Sequence, residues 1–223
     1  MKAFTVVTCE QRSAAWFASR AGKLTGSVAA AMLSTVKSGE AAARRDLRMR
    51  LALERITGQP QEDGYINAEM QRGVDLEPAG IAAYEALTGD MVETTGFLSH
   101  VQHQAGCSLD GHVGDYETLV SIKCPKSATH FGYLRGGVMP STYEPQMLHE
   151  LWITGAKAYD FLSYDDRFPE ALRVFYVRTL RDEAAVEAYA AKALAFLDEV
   201  ALECEAVRTM ADLASVLREA VSA

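Results

Sequence analysis

The chain has 223 residues, 49% hydrophobic and 23% charged, which is the composition of a folded globular domain rather than a disordered or fibrous chain. Its formal net charge of −8 argues against a general nucleic-acid coat, because phosphate neutralisation needs clustered Lys and Arg. An acidic exterior still leaves room for metal chemistry, which needs carboxylates, and for a channel lined by basic residues.

No stretch reaches the ~18 to 20 continuous apolar residues of a membrane helix. Residues Met1 to Gln11 lack the basic start and apolar run of a signal peptide, so a cytoplasmic location is expected. Cys9, Cys107, Cys124 and Cys204 form no CxxC pair and read as reduced, mostly buried thiols rather than a zinc site. The histidines at 100, 103, 112, 130 and 149 show neither HxxxH nor HExxH spacing.

In chain order, Gln11 to Ser19 predicts a short helix and Ser27 to Leu33 another, with Ser27 as its N-cap. Glu40 to Ile56 is a strong helix pattern stopped by Gly58 and Pro60. Its arginines at 44, 45, 48 and 50 suit either a solvated face or a duplex backbone. Asn67 to Leu87 is helical, with Gly73 and Pro78 as interruptions. Met91 to Leu98 predicts a strand, Gly106 to Val113 a turn or strand end, and Leu119 to Cys124 a strand.

Ala128 to Leu134 and Thr142 to Ile153 read as helices, the second opened by a Ser141-x-x-Glu144 capping box with Pro145 in the first turn. Ala158 to Tyr164 and Arg173 to Leu180 predict strands. Asp182 to Met210 predicts a long amphipathic helix, continued by a short one over Asp212 to Val221. The expected fold is α/β: one domain over 1–223 with a central mixed sheet flanked by helices and a C-terminal helical segment at about 181–223.

Strand alternation puts Val120, Ile122 and Cys124 on a core face, and Leu119, Ser121 and Lys123 on the other. Asp110, in Ser108-Leu109-Asp110-Gly111, falls at the turn of a hairpin leading to that strand. A carboxylate at a strand bend and a lysine on the next strand suit magnesium-assisted phosphodiester cleavage. Mg²⁺ polarises the phosphate, and a lysine stabilises charge in the transition state. By spacing alone this signal is weak.

The surrounding motifs are more specific. Cys107 to Gly111, Ile122 to Lys126 and Tyr143-x-x-Gln146 closely resemble the lambda-exonuclease family of phage recombination nucleases, the YqaJ type. Gln11-Arg12-Ser13 with Trp16, Arg20, Gly22, Thr25 and Ser27 fits the same family, as do Gly73 to Glu77, Tyr84-Glu85 and Leu151 to Gly155. The resemblance implies a restriction-endonuclease-like core and Mg²⁺-dependent removal of the 5′ strand of linear duplex DNA, with Mn²⁺ as a substitute metal. By that resemblance Asp110 and Glu77 hold metal, the Ile122 carbonyl faces it, and Lys123 is the catalytic lysine. Arg20, Ser27, Ser108 and Gln146 match the positions that hold the 5′-phosphate, with Tyr143 beside them. The family also implies a ring-shaped homotrimer and a single-strand annealing partner.

One position departs. The family motif is Glu-x-Lys, whereas this chain reads Ser121-Ile122-Lys123. Three accounts are open: a deliberate replacement that traps a DNA complex, a natural protein of weak or no turnover, or another acid in its place, with Glu117 near in sequence. On the sequence alone, Ser121→Glu is expected to raise cleavage. The competing functions are a DNA-end-binding protein without turnover and an endonuclease on the same fold.

Overall fold

A computed structural model describes residues 2–61 and 67–222, with side chains as far as 210. The expected α/β fold is present, and its mixed sheet divides into two four-stranded sheets. One contains β1 (Phe4–Val7), β2 (Leu24–Thr25), β3 (Phe97–His100) and β4 (Ala105–Ser108), in the order β1-β3-β4-β2. The other runs β5 (Gly111–Val113), β6 (Thr118–Lys123), β7 (Ala158–Tyr164) and β8 (Val174–Leu180). Among the described strands β2–β4 and β6–β7 pair in parallel and the other pairs are antiparallel.

Among the described residues seven α-helices surround the sheets: α1 (Ala14–Arg20), α2 (Ala29–Met32), α3 (Ala42–Thr57), α4 (Ala68–Thr88), α5 (Ser127–Gly136), α6 (Glu144–Thr154) and α7 (Glu183–Ser222). A parallel strand pair needs a crossover, and α5 with α6 supplies it between β6 and β7. Among the described residues no helix is long and apolar enough to cross a membrane.

Strands β6 and β7 are buried on both faces, which corrects the expectation that Leu119 and Ser121 turn away from a core, while Lys123 at the end of β6 lines an open cleft. Leu119 is 0% and Ser121 2% exposed. Val120, Ile122 and Leu162 pack with Tyr84 of α4 on one face. Leu119, Tyr159 and Phe161 join the main core with Met147 and Leu151 of α6 and with α7 on the other. Strands covered on both faces read as continuous apolar runs, and Leu119 to Ile122 is such a run broken only by Ser121. Helix α4 approaches β6 at Gly80, where an added Cβ would lie 2.5 Å from Ile122 Cγ2.

Several local expectations change. The Met91 to Leu98 strand shrinks to β3, because Glu93 bridges His112 of the second sheet before Phe97 joins β1 in the first. Asp110 lies where the chain passes from β4 to β5, between sheets; the hairpin turn follows later, at Gly114 to Glu117. Helix α4 runs through Gly73 and Pro78 without a break. The capping box does not form: residues 141 to 143 make a 3₁₀ turn, and no side chain caps α6. Ser27 likewise sits inside a 3₁₀ turn, Gly26–Val28, and is not an N-cap. The two C-terminal helices are one, α7.

Candidate active site

Asp110 follows the buried Leu109, whose carbonyl accepts from Gln11 Nε2 at 3.1 Å. That anchor holds the bend so that Asp110 faces the end of β6. Its Oδ2 accepts from Ile122 N–H at 2.8 Å, Lys123 Nζ at 3.1 Å and Ser121 Oγ at 3.3 Å. Among the described residues every hydrogen bond to Asp110 falls on Oδ2, and Oδ1 stays available. Burial alone would lower the Lys123 pKa, but Asp110 and Glu150 outweigh it and hold the ammonium above the usual lysine range. Lys123 is therefore a fixed positive charge at neutral pH.

Glu77 comes from α4, one helical turn before the Gly80 contact, and lines a cleft of about 610 Å³ with Asp110, Arg12 and Gln11. Burial and the Asp110 charge push its carboxyl up, while Arg12 and Lys123 pull it down. A second cleft of about 570 Å³ exposes Lys123 beside Tyr143, Cys124 and α4. Lys123 Nζ lies 5.8 Å from the Tyr143 ring centroid, and the Tyr143 hydroxyl is 3.2 Å from that of Tyr133. Ile122 contributes its N–H to Asp110 and its side chain to the α4 core.

The proposed phosphate residues meet on the other wall. Arg20 is 9% exposed, its Nη2 donates to Ser27 Oγ at 3.2 Å, and its guanidinium lies 4.1 Å from the Trp16 ring. Trp16 Nε1 donates in turn to Ser108 Oγ at 2.8 Å. Gln146 reaches the same turn, since a Cβ built on Gly26 would sit 3.3 Å from Gln146 Cγ. Gly26 thus lets the turn carrying Ser27 lie against α6. Arg20, Ser27, Ser108 and Gln146, scattered over more than a hundred positions, are brought together. Trp16, whose residue type alone signals no role, is the strut between two of them.

Glu150 was missed altogether. It is 3% exposed on α6, and its Oε1 accepts from Gln146 Nε2 at 2.8 Å. Burial pushes its carboxyl up to about 8, against the pull of Gln146 and Lys123. The available signal was its phase: Tyr143, Gln146 and Glu150 repeat at helical spacing beside the buried Met147 and Leu151. Glu117, the acid near in sequence, is excluded from the site, because it pairs with Lys157 at 2.6 Å at the opposite end of β6.

A hard divalent cation fits these donors by chemistry, since the site offers oxygen ligands and no thiolate or imidazole among its acids. The Tyr159 hydroxyl is buried beside Ser121, Asp110 and Glu150 and makes no well-formed hydrogen bond to them. A buried polar atom so imperfectly satisfied marks room for a polar occupant. Among the described residues no group of three or more His, Cys, Asp or Glu side chains is placed to hold a metal ion. Asp110 and Glu77 line one open cleft, which suits an ion that keeps several waters.

A sequence model of the YqaJ-like viral recombinase domain matches residues 15–157. Among curated proteins none matches significantly. Among solved structures, the chain is similar to LHK-Exo in complex with dAMP, with 36% identity over 90% of this chain and 100% of that one, at a TM-score of 0.81. A second structure, the alkaline exonuclease LHK-Exo from Laribacter hongkongensis, gives 37% identity, 90% and 98% coverage and a TM-score of 0.81. A phage-related exonuclease from Haemophilus somnus 129PT matches at 14% identity, 84% and 96% coverage and a TM-score of 0.64, a likeness of fold alone. With its family model covering well over half of its length, the chain belongs to the YqaJ-like viral recombinase domain family.

Proposed function

We propose that this chain is a Mg²⁺-dependent exonuclease acting in the cytoplasm, which removes the 5′-phosphorylated strand of linear duplex DNA and leaves a 3′ single strand for recombination. One observation carries the reading: the Asp110–Lys123 pair at 3.1 Å is tied to the Arg20–Ser27 pair through Ser108, two residues before Asp110, which accepts from Trp16 Nε1 at 2.8 Å while Arg20 lies over the same indole. A phosphate gripped by that assembly would present its neighbouring phosphodiester to Asp110. Family membership and the likeness to two alkaline exonuclease structures support it.

In this reading Asp110 and Glu77 hold Mg²⁺, with the Ile122 carbonyl turned to the same ion and Mn²⁺ as a substitute. The ion would polarise the scissile phosphate and lower the pKa of a bound water. Lys123, fixed by Asp110, lies where it can orient the attacking water and balance charge on the phosphate. Arg20 offers a planar fork that a lysine cannot reproduce, and Ser27, Ser108 and Gln146 add neutral donors for a terminal phosphate. Tyr143 closes the wall beside Lys123. A homotrimeric ring and a single-strand annealing partner complete the proposal.

The test compares 5′-phosphorylated, 5′-hydroxyl and covalently closed duplexes, with Mg²⁺ and with chelator. Nucleotide release from the phosphorylated end alone, abolished by chelator, is the expected result. Cutting of closed circles would make the chain an endonuclease on the same fold, and a light-scattering mass of one chain would remove the ring. The absence of a glutamate at position 121 favours a second reading, a DNA-end-binding protein without turnover. End binding with no release in Mg²⁺ or Mn²⁺ would establish that instead.

A further inference from the structure

We propose that Glu150, carried on α6, supplies the metal-site carboxylate that position 121 lacks. This inference rests on the metal-dependent reading of the Asp110 site.

The geometry begins with β6. Alternation puts Leu119, Ser121 and Lys123 on one face, and the parallel register sets Tyr159 and Phe161 beside the first two on the same face. Helix α6 covers that face, and its residues Gln146 and Glu150 follow one stripe that begins at Tyr143, just before the helix. Glu150 and Ser121 both act on the Tyr159 hydroxyl, so Glu150 reaches the Ser121 side from across the core, not along the strand. A serine at 121 leaves the space that a glutamate there would fill, and its hydroxyl is 3.3 Å from Asp110 Oδ2.

Two observations show that the Glu150 carboxylate is not simply packed. Burying a carboxylate is costly unless it is paired with a cation and hydrogen-bonded. Glu150 is 3% exposed, yet the groups that hydrogen-bond it are neutral, the Gln146 amide at 2.8 Å and the Tyr159 hydroxyl beside it. Lys123 acts on it electrostatically, but that ammonium is already bound to Asp110. Independently, the Tyr159 hydroxyl is 0% exposed, makes no well-formed hydrogen bond, and lies where Ser121, Glu150 and Asp110 all act on it. Glu150, Ser121 and that hydroxyl therefore face one locus, next to the open Oδ1 of Asp110.

The backbone also keeps that locus clear. A Cβ on Gly26 would stand 3.0 Å from Glu150 Oε1 and 3.3 Å from its Cγ. A side chain at 26 would push Glu150 off its position. The Gly26–Val28 turn also carries Ser27, so one glycine permits both the phosphate wall and the carboxylate. With Glu150 the site has three acids, Asp110, Glu77 and Glu150, and the charge lost at Ser121 is restored from another element.

The experiment titrates Mn²⁺ into the parent, Asp110→Asn, Glu150→Gln, Ser121→Glu and the double variant Ser121→Glu/Glu150→Ser. Bound metal is read from the loss of the free-Mn²⁺ electron paramagnetic resonance signal, and nucleotide release is measured in parallel. Glu150→Gln should weaken Mn²⁺ binding by about tenfold or more, as loss of a metal-site carboxylate does. Ser121→Glu alone should not strengthen it, because two acids would crowd one space. The double variant should recover binding to within about tenfold of the parent. Parent-like Mn²⁺ affinity in Glu150→Gln overturns the proposal, even if activity falls. Should Glu150→Gln fail to fold, the double variant decides, and failure to regain metal overturns the proposal as well. If Asp110→Asn loses metal and turnover while Glu150→Gln keeps both, the exonuclease reading stands and this inference alone fails. A parent that binds no Mn²⁺ overturns both.

Discussion

Trp16 Nε1 donates to Ser108 Oγ at 2.8 Å, while the same indole carries the Arg20 guanidinium 4.1 Å from its ring. One side chain thus ties the loop before Asp110 to the arginine of the opposite wall. Trp16→Phe keeps the ring and removes the donor, so Ser108 loses its mooring. Loss of a hydrogen bond of about 1 kcal/mol corresponds to roughly fivefold to tenfold. The expected outcome is a fall of that size in the preference for 5′-phosphorylated over 5′-hydroxyl duplex, with the melting temperature little changed. An unchanged preference would sink the strut. Arg20→Lys should cost more, about ten- to hundredfold, because a point charge replaces a fork.

Lys123→Met isolates the ammonium from the fold. Asp110 Oδ2 would still accept from Ile122 N–H at 2.8 Å and Ser121 Oγ at 3.3 Å, so the bend should hold. Loss of one charge-stabilising donor costs about 10²–10³ in turnover. Single-turnover rates at saturating DNA should show this drop while DNA binding changes much less. A variant that turns over within a few-fold of the parent would remove Lys123 from the chemistry.

Asp110 and Lys123 were legible in the sequence because residue type and flanking motif survive without coordinates. The convergence of Arg20, Ser27 and Ser108 was legible only through resemblance, since no spacing rule links a turn at 27 to a strand end at 108. The split into two sheets was not legible. Strand β2 has two residues and pairs Leu24 with Ala105, so there is no alternation to read and the partner is remote. Glu150 was hidden for a different reason. A glutamate in an amphipathic helix reads as solvated, and only the seating of α6 on the Ser121 face turns it inward. The expectation from sequence alone, that Ser121→Glu raises cleavage, is set against the proposal that Glu150 fills the space beside Ser121, under which the added acid would crowd the site.

Protonation of Glu150 gives a stability signature without metal. Its carboxyl is pushed from 4.5 to about 8 by burial, against the hydrogen bond from Gln146. Between those values the folded chain holds a proton that the unfolded chain releases, so stability falls as pH rises through the window and the fall is complete above about 8. Glu150→Gln removes this contribution. In chelator, calorimetry should show parent and variant melting alike at pH near 4.5, and the variant melting higher at pH 8 and above. Each kcal/mol gained should raise the melting temperature by about 2–4 °C for a chain of this size. Equal pH slopes for the two proteins would show that Glu150 is ionised in the folded state throughout.

The opposite face of the same sheet holds a buried carboxylate of another kind. Asp160 on β7 is 0% exposed and accepts from Tyr84 Oη at 2.6 Å, Arg178 Nε at 2.8 Å and Arg178 Nη2 at 2.7 Å. Here the acid is paired with a cation and its hydrogen bonds are made, so it locks α4 against β7 and β8. Asp160→Ala strands the buried Tyr84 hydroxyl, and Arg178→Ala strands the carboxylate itself. Each should destabilise by about 3–5 kcal/mol. Tyr84→Phe leaves the ion pair intact and should cost about 1 kcal/mol. Urea denaturation orders the three variants. Because α4 also carries Glu77, the two severe variants should lose activity in proportion to unfolded protein, whereas Tyr84→Phe should keep parent turnover. A Tyr84→Phe variant that folds fully but loses turnover would mean that Asp160 acts on the active site through α4, and not only on the stability of the sheet.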